Sequence, residues 1–461
     1  MPTPVFAESF PELSGRRVLV IGAGKSGRAA AKLALEHGAQ VTIADRLESA
    51  RLQRRFEGWE VALHGGGHPA SLADTTDLIV MSPGVPTDIE LITVARERGI
   101  PVWSEIELAW RFCHGRVVGI TGSNGKSTVT AFVGHLLRHA RIPGGTGGNL
   151  DTPFAELLSH DSEEAVHAIE LSSFQLETID RFRPNVGLLL NLAADHLDRH
   201  GSLEAYAAAK ARLFENLSDN DAAILNADDD ASRRFDAAAG ENVHTFSTAA
   251  EIQCGAFVCD GWVTLRTKHG EERICPVDAI PLPGEHNLSN TLAAVLCARL
   301  CGVDPERLRS GISTFRALDH RLEKVTTVNG VDYYNDSKAT NPAASLPALR
   351  AFPKGTVHLI VGGKDKGGDW PHLAESVATQ QARLYVIGEE PEPVAAHFAT
   401  HEALQLCGTM ERAVHAATEA AQAGDTVLLS PACASFDQYE NFEDRGRHFR
   451  AVARALGGGD A

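Results

Sequence analysis

The sequence lacks the features that mark membrane-spanning, secreted and nucleic-acid-binding proteins. No apolar run reaches the roughly 18 residues that a membrane-spanning helix needs. The N-terminus has no basic segment followed by an apolar stretch, so we expect no secretion signal. Asp and Glu (60) outnumber Lys and Arg (43), and the net charge of −17 argues against a nucleic-acid partner. These absences predict a cytoplasmic protein without a membrane span.

Cysteine patterning is also missing. The eight cysteines are scattered, with no C-x-x-C pair and no histidine at metal-finger spacing, so we expect reduced thiols. Hydrophobic residues make up 43% of the chain and charged residues 22%, as in ordinary globular proteins. A chain of 461 residues exceeds a single hydrophobic core. Alternating strand and helix patterns predict an α/β protein of three domains, spanning residues 1–104, 105–316 and 317–461.

The strongest motif lies near the start of the second domain. Residues 116–121 predict a buried strand, after which a glycine-rich turn leads into Lys126, Ser127 and Thr128 at the start of a helix. Such a turn binds phosphate through backbone N–H groups and the positive end of the helix, while Lys126 can reach terminal phosphates and Ser127 a magnesium ion. The spacing differs from the standard G-x-x-x-x-G-K-[ST] loop, whose first glycine would fall at Ile120. The alternative is an ordinary strand-to-helix turn that carries a lysine.

The first domain contains a dinucleotide-like fingerprint. A predicted strand at 17–21 precedes the turn Gly22-Ala-Gly-Lys-Ser-Gly27, and Asp45 ends the next strand about twenty residues on. The pattern is not specific for dinucleotides, because any nucleotide diphosphate can bind to such a turn with its ribose near the acid. The turn Ser82-Pro83-Gly84 follows a predicted strand at 77–81, at the sheet edge where α/β proteins bind ligands. A plain Pro-Gly loop is an equal alternative for that turn.

Polar residues follow two further strands of the second domain. Glu170, Ser172 and Ser173 end one strand and are suitable magnesium ligands, the alternative being an acid that caps the next helix. The segment 195–200 brings two acids and two histidines together, which indicates a second metal or substrate site. The glycine-rich loop 143–149 is expected to be flexible or to allow close ligand approach.

The remainder of the second domain carries one unusual lysine. Lys210 lies in an alanine-rich helix predicted over 202–217, where a lysine that extends to solvent is the simplest interpretation. Short β-like runs then predict a small β-rich insertion at 243–282.

The last domain begins with a predicted hairpin whose turn is Asn329-Gly330. Three buried strands follow, at 357–361, 384–387 and 426–429. Two of them end in polar turns at one sheet edge, where Lys366 and Ser435 could bind a small anion. The tail 457–461 is expected to be disordered.

Taken together, five motifs resemble those of the Mur ligases, in particular the members that add D-glutamate to UDP-N-acetylmuramoyl-L-alanine in peptidoglycan synthesis. The resemblance covers nearly the whole chain. In the family's order, the motifs are Thr121-Gly-Ser-Asn-Gly-Lys-Ser-Thr128, Glu170-Leu-Ser-Ser-Phe-Gln-Leu-Glu-Thr178, Asp195-His-Leu-Asp-Arg199, Asn335-Asp-Ser-Lys-Ala-Thr340 and Ser430-Pro-Ala-Cys-Ala-Ser435.

The resemblance implies an ATP-dependent amide ligase. The substrate carboxylate attacks the γ-phosphate of ATP to form an acyl phosphate, and the amine of D-glutamate then displaces phosphate. The implied partners are small molecules only: ATP, D-glutamate and UDP-N-acetylmuramoyl-L-alanine. The implied cofactor is magnesium, with two ions expected, and we expect a monomer.

The resemblance also implies roles for individual residues. Catalysis falls to Lys126, His196, Lys338 and Lys210, the last as a carbamylated lysine, and the magnesium ligands are Ser127, Glu170, His196 and the modified Lys210. The implied ATP contacts are Gly122, Ser123, Asn124, Gly125, Lys126, Ser127, Thr128, Asn290, Arg321 and Asp336. The implied UDP-substrate contacts are Ser26, Asp45, Ser82, Pro83, Gly84, Asn149, Ser172 and His196. The implied D-glutamate contacts are Thr340, Lys366, Ser435 and Phe442. Lys25 and Arg46 depart from the family pattern and leave the details of the UDP contacts open.

Other functions remain as alternatives. Another Mur ligase or a folylpolyglutamate-type ligase shares the Thr-Gly-x-Asn-Gly-Lys motif, although the N-terminal nucleotide turn argues against the folate enzyme. A dinucleotide-dependent oxidoreductase would rest on Gly22–Gly27 and leaves the Lys126 loop unexplained. A noncatalytic nucleotide sensor does not account for Lys126, Glu170, His196 and Lys210 together.

Overall fold

The structure, a computed structural model, describes residues 12–193, 195–235, 239–240, 242–268 and 270–457. The chain separates into two compact units, Met1–Ile280 with Ser289–Thr314, and Pro281–Leu288 with Phe315–Ala461. The first unit contains two sheets and the second contains one. No helix in these described ranges is long and apolar enough to cross a bilayer.

The N-terminal sheet is parallel, with its five strands in the order β3-β2-β1-β4-β5. Its elements are β1 (Arg17–Ile21), α1 (Lys25–Glu36), β2 (Gln40–Asp45), α2 (Ser49–Arg55), β3 (Ala62–Gly65), β4 (Leu78–Met81), α3 (Glu90–Glu97), β5 (Val102–Ser104) and α4 (Glu105–Trp110). The strands predicted at 17–21 and 77–81 are confirmed. The strand order reverses beside β1, so the carboxyl ends of β1 and β4 border the crevice where such sheets bind ligands.

The central sheet has nine strands in the order β14-β13-β12-β11-β10-β9-β6-β8-β7. Its elements are β6 (Arg116–Thr121), α5 (Lys126–His139), β7 (Thr146–Gly148), α6 (Phe154–Leu157), β8 (Val166–Glu170), α7 (Ser173–Leu176), β9 (Val186–Leu189), α8 (Leu197–His200), α9 (Leu203–Ala211), β10 (Ala222–Asn226), β11 (Val243–Ser247), β12 (Gly255–Cys259), β13 (Trp262–Thr267), β14 (Gly270–Pro276), α10 (Glu285–Leu300) and α11 (Pro305–Thr314). The parallel strand β6 lies between β8 and β9, so the carboxyl ends of all three meet at one edge.

The flexible loop expected at 143–149 is in part a strand, whereas the other expectation for this segment, close approach of a ligand, stays a prediction. Residues 146–148 form the edge strand β7, which pairs with β8. The glycines here allow close approach of backbone to backbone, because a Cβ atom at Gly144 would lie 2.1 Å from the carbonyl oxygen of Val166. A Cβ at Gly148 would lie 2.3 Å from the carbonyl oxygen of Glu170.

The β-rich segment predicted at 243–282 is confirmed, but it extends the central sheet. Strand β11 pairs in parallel with β10, and β12 pairs in parallel with β11. Strands β13 and β14 then continue the sheet as antiparallel neighbours.

The second unit contains a six-stranded sheet in the order β15-β16-β20-β17-β18-β19. Its elements are β15 (Glu323–Val328), β16 (Val331–Asn335), α12 (Pro342–Arg350), β17 (Val357–Gly362), α13 (Trp370–Gln380), β18 (Arg383–Ile387), α14 (Glu392–Ala396), β19 (Leu404–Gly408), α15 (Met410–Ala420), β20 (Thr426–Leu429) and α16 (Phe442–Ala455). The predicted hairpin is confirmed, with φ of 50° at Asn329 and 79° at Gly330. Sequence reasoning missed β19, a largely exposed edge strand. The tail predicted to be disordered lies, from residue 458 onward, outside the described residues.

Candidate active site

The turn between β6 and α5 has the backbone of an anion-binding loop. Gly125 precedes α5 with φ of 83°, and Gly122 has φ of 154°, both conformations that favour glycine. A Cβ at Gly125 would lie 2.5 Å from Oδ1 of Asn290, a buried residue of α10. The 14-residue helix α5 therefore begins directly at the loop and presents its positive end there.

Asn191 fixes the shape of this loop, and sequence reasoning had not assigned it a role. Its Oδ1 accepts the backbone N–H of Asn124 at 2.9 Å, and its Nδ2 donates to the Asn124 carbonyl at 3.1 Å. Its own carbonyl accepts the N–H of Ser123 at 3.0 Å. Asn191 follows β9, the strand beside β6, which is why a residue so distant in sequence reaches the loop.

Lys210 is buried, so the prediction that it extends to solvent is wrong. The residue is 1% exposed, and its Nζ donates to the Gly122 carbonyl at 2.8 Å and to Thr121 Oγ1 at 3.3 Å. The ammonium also lies 4.6 Å from the ring centroid of Tyr206. Burial lowers the pKa of Lys210 well below the value of an ordinary lysine, and the positive charge of Lys126 lowers it further.

Glu170 ends β8 beside the loop and is 2% exposed. Its Oε1 accepts a hydrogen bond from Asn149 Nδ2 at 2.7 Å. Its Oε2 is buried and has no hydrogen-bond partner among the described residues. A buried carboxylate oxygen without a donor is costly unless a cation or another group approaches it.

The hydroxyl groups that follow Glu170 are engaged elsewhere. Ser172 caps α7 by accepting the backbone N–H of Gln175, and the Gln175 side chain accepts the N–H of Ser172. Ser173 Oγ lies 2.9 Å from Nε2 of His200. The helix cap suggested as an alternative is thus present, but serine makes it and Glu170 does not.

The two histidines of the predicted cluster at 195–200 face different partners. The His196 side chain is about half exposed and packs against Phe174, with ring centroids 5.0 Å apart. The His200 side chain is 4% exposed and contacts Glu177 and Ser173. His196 has φ of 52°, a conformation that is uncommon outside glycine and is often found at functional sites.

The N-terminal sheet carries a cavity of about 410 Å³ at the carboxyl ends of β1, β2 and β4. The cavity is lined by residues of the dinucleotide-like turn, the end of β2 and the Pro-Gly turn, together with His68 from the segment after β3. The lining residues are Gly22, Ala23, Gly24, Lys25, Ser26, Asp45, Arg46, His68, Ser82, Pro83, Gly84, Val85 and Pro86. All five predicted contacts of this domain are thus brought together. Asp45 is engaged with the protein backbone, because its carboxylate accepts the N–H groups of Ala23 at 2.6 Å and Leu47 at 2.8 Å.

His68 is a cavity residue that sequence reasoning missed. Its Nε2 is buried without a hydrogen-bond partner among the described residues, and burial lowers its pKa. It lies in the segment after β3, where Gly66 and Gly67 have φ of 88° and 141°. No sequence motif marks the position.

In the second unit, polar residues meet at the carboxyl ends of β16, β20 and β17, which are neighbours in the sheet. Asp336 Oδ2 accepts a hydrogen bond from Ser430 Oγ at 2.8 Å, and Oδ1 accepts the N–H of Leu322 at 3.1 Å. Asp336 retains some surface as a residue, yet desolvation of its carboxyl group raises its pKa to about 7. The adjacent Arg321 has the opposite, weaker effect on that pKa.

The remaining predicted residues of this unit lie around the same edge. Lys338 Nζ is 4.7 Å from the ring centroid of Phe442, and Lys366 Nζ is 5.9 Å from that of Phe436. Ser435 is buried, whereas Lys366 is exposed and Thr340 is half-buried. The predicted common edge for the turns after β17 and β20 is confirmed, because Lys364 and Ala434 exchange backbone hydrogen bonds of 2.9 and 3.1 Å.

The sheet topology and the loop geometry are those of an α/β protein with an anion-binding type of loop at the switch point of its central sheet. Three family models match the chain: a MurD-like N-terminal domain over 16–104, the Mur ligase middle domain over 120–298 and the Mur ligase glutamate ligase domain over 320–433. The chain belongs to the Mur ligase family, and it has the three-domain α/β fold of these enzymes.

Curated relatives cover almost the whole chain. UDP-N-acetylmuramoylalanine–D-glutamate ligase of Acidobacterium capsulatum is 45% identical over 98% of this chain and 98% of its own. The enzyme of the same name from Koribacter versatilis is 43% identical over 96% of this chain and 98% of its own. These relatives leave the oxidoreductase hypothesis without support.

Solved structures share the fold at lower identity. MurF from Acinetobacter baumannii aligns with a TM-score of 0.59 and 18% identity, covering 97% of this chain and 92% of its own. UDP-N-acetylmuramate-alanine ligase MurC from Thermotoga maritima aligns with a TM-score of 0.57 and 18% identity, covering 95% of this chain and 99% of its own.

Proposed function

We propose that this protein is an ATP-dependent ligase that joins D-glutamate to UDP-N-acetylmuramoyl-L-alanine. The observation that carries the proposal is the arrangement around the Gly122 carbonyl, where two lysines converge near the buried carboxylate of Glu170, one oxygen of which has no hydrogen-bond partner among the described residues. The names of relatives that are 43–45% identical over nearly the full chain support the choice of substrates.

The reaction begins with attack of the alanine carboxylate on the γ-phosphate of ATP, which breaks the bond to ADP and forms an acyl phosphate. The neutral amine of D-glutamate then attacks the acyl carbon, phosphate leaves, and the amine loses a proton as the amide forms. Lys126 Nζ lies 2.8 Å from two loop carbonyls, of Gly122 and Ser123, so its ammonium is held over the loop. From there the ammonium stabilises the negative charge of the phosphoryl group during its transfer.

The residues present fit a magnesium ion. Glu170 supplies a buried carboxylate oxygen that has no hydrogen-bond partner among the described residues, and Ser127 supplies a hydroxyl in the first turn of α5. When bound, magnesium neutralises phosphate oxygens and orients the γ-phosphate for attack. We assign Ser127 and Glu170 to one ion, and His196 together with modified Lys210 to a second.

Lys210 fits this scheme only after modification. An ammonium beside Lys126 repels a metal, but a lysine with a strongly lowered pKa provides the neutral amine that adds to carbon dioxide. The addition forms a nitrogen–carbon bond, releases one proton and leaves an anionic carbamate. We assign this carbamate to Lys210.

The other assignments follow the family pattern. The cavity of the N-terminal sheet binds the UDP group, Asn149 and Ser172 contact the sugar-linked portion, and Asn290, Arg321 and Asp336 bind ATP. Lys338 acts near the reacting groups, and Thr340, Lys366, Ser435 and Phe442 bind D-glutamate. We place the domain boundaries after residues 104 and 316, the enzyme in the cytoplasm and the active form as a monomer.

Phosphate release tests the proposal. Purified protein is supplied with ATP, magnesium, UDP-N-acetylmuramoyl-L-alanine and either glutamate enantiomer, with Lys126→Ala as control. We expect release with D-glutamate, little with L-glutamate, and a loss of about a hundredfold or more in Lys126→Ala. Equal release by wild type and Lys126→Ala contradicts the proposal, and release with a different acceptor amino acid redirects it to another Mur ligase.

A further inference from the structure

Arg199 links the N-terminal sheet to the segment that carries His196. Its Nη1 donates to the carbonyl of Pro83 at 2.9 Å, and its Nη2 donates to the carbonyl of Val85 at 3.0 Å. Pro83 and Val85 belong to the turn that lines the 410 Å³ cavity, whereas Arg199 lies three residues after His196 in the central domain. One side chain thus holds two backbone carbonyls of the Pro83 turn.

The guanidinium is itself held from the opposite side. Nη2 of Arg199 lies 3.3 Å from Oε2 of Glu177, and its central carbon lies 4.0 Å from the ring centroid of Phe174. The other oxygen of Glu177 lies 3.5 Å from Nδ1 of His200. Only 20% of the Arg199 side chain is exposed, so these contacts are largely shielded from solvent.

The connection joins two motifs. Glu177, Phe174 and Ser173, which contacts His200, all belong to the stretch that begins with Glu170. Arg199 and His200 belong to the stretch that begins with Asp195. Both stretches are therefore fixed relative to the Pro83 turn through a single planar group with two parallel donors, a geometry that lysine cannot reproduce.

We propose that Arg199 is a positioning residue that sets the distance between the UDP cavity and the reaction centre at Glu170 and Lys126. This inference rests on the proposed function, since a UDP-linked substrate has to present its distant carboxylate to the phosphate loop. A misplacement of about 1 Å in such an alignment reduces turnover by about a hundredfold. Arg199 acts through the turn and the His196 segment, without touching the reacting atoms.

The test compares Arg199→Lys with Arg212→Lys in the full-length protein. Arg212 is a matched control, because its guanidinium donates to the carbonyls of Leu176 and Ile179 at 2.9 and 2.7 Å but stays within the central domain. Its side chain is 30% exposed. The measured quantities are kcat for phosphate release, Kd for UDP alone and Kd for ATP alone.

For Arg199→Lys we expect kcat to fall at least about tenfold, while both Kd values stay within about threefold of wild type. Arg212→Lys is expected to keep kcat within about threefold. Glu177→Gln leaves both backbone contacts of Arg199 available but removes the carboxylate that holds its guanidinium. We expect this variant also to lower kcat, without a matching loss of UDP binding.

Three results overturn the inference: an unchanged kcat in Arg199→Lys, a loss of UDP or ATP binding as large as the loss of kcat, or an equal loss of kcat in Arg212→Lys. If wild type itself releases no phosphate with any acceptor, the proposed function fails. The two failures are therefore distinguishable.

Discussion

Lys126 and Lys210 donate to the same backbone oxygen, each Nζ lying 2.8 Å from the carbonyl of Gly122. Lys210 is the buried member of the pair, and burial, followed by the positive charge of Lys126, lowers its pKa. Two equal charges at one carbonyl are unfavourable in an apolar setting. The repulsion between the two ammonium groups is removed when Lys210 loses its proton.

The first prediction is that Lys210 takes up carbon dioxide. In protein equilibrated with ¹³C-labelled bicarbonate, we expect a carbamate carbonyl signal in the NMR spectrum of wild type and none in Lys210→Arg. Lys126→Met is expected to weaken the signal, since removal of the cation raises the Lys210 pKa and also removes a partner of the carbamate anion. A carbamate signal that persists in Lys210→Arg contradicts the assignment.

The second prediction concerns Glu170. Glu170→Gln keeps an oxygen for Asn149 Nδ2 but removes the anionic Oε2, so we expect the magnesium concentration for half-maximal activity to rise at least about tenfold. Glu105→Gln is the matched control, because Glu105 is 1% exposed and also has a buried Oε2 without a partner among the described residues. Its magnesium dependence should equal that of wild type. Equal shifts in both variants count against a metal role for Glu170.

The third prediction is a pH effect on stability at Glu105. Burial raises the pKa of its carboxyl group from 4.5 to about 7, and the Ala155 N–H donates to Oε1 at 2.7 Å. The folded state then binds more protons than the unfolded state between these pKa values, so this residue's contribution to stability declines as pH rises from 4.5 through 7. Glu105→Gln removes that decline and is expected to be more stable than wild type at pH 8, by up to about 3 kcal/mol.

Unfolding by urea at several pH values measures this difference. Glu107→Gln, on the same helix, is the contrasting variant, because the carboxylate of Glu107 accepts the N–H groups of Asp180, Arg181 and Phe182. This substitution is expected to destabilise the protein, since a satisfied buried anion loses its charge-assisted hydrogen bonds. If Glu105→Gln is less stable than wild type at pH 8, the prediction fails.

The fourth prediction concerns His68. His68 lines the cavity, and its buried Nε2, which has no hydrogen-bond partner in the part of the chain that the structure describes, can hydrogen-bond a polar ligand. His68→Phe removes that nitrogen while keeping a planar ring. We expect the Kd for UDP to rise about tenfold, as for loss of one buried hydrogen bond. Isothermal titration calorimetry measures it, and His64→Phe, at the neighbouring strand β3, serves as control. Unchanged UDP binding in His68→Phe excludes the contact.

Several features were predictable because their causes are local in sequence. Apolar runs mark β1, β6 and β17, and Asn329-Gly330 adopts the positive φ angles that a two-residue hairpin requires. The convergence of the Lys126 loop with Glu170 was also accessible, since parallel strands place their carboxyl ends at one edge.

Other features have no local cause. Asn191 reaches Asn124 only because β9 pairs with β6, and Arg199 reaches Pro83 across two sheets of one unit. The glycines before β8 looked like a flexible loop, yet neighbouring backbone atoms are what require them. Such contacts depend on which strands become neighbours, a property of the whole chain.

The sequence by itself determined the family, the strand–helix alternation and the presence of a phosphate loop, because short-range spacing and turn chemistry encode them. Only the tertiary structure decided that Lys210 is buried beside Lys126, that one oxygen of Glu170 has no hydrogen-bond partner within the described ranges, and that His196 and His200 face different partners. The physical reason is that burial and electrostatic neighbours are set by packing between segments distant in sequence, and these neighbours determine whether a lysine or a carboxylate is inert or reactive.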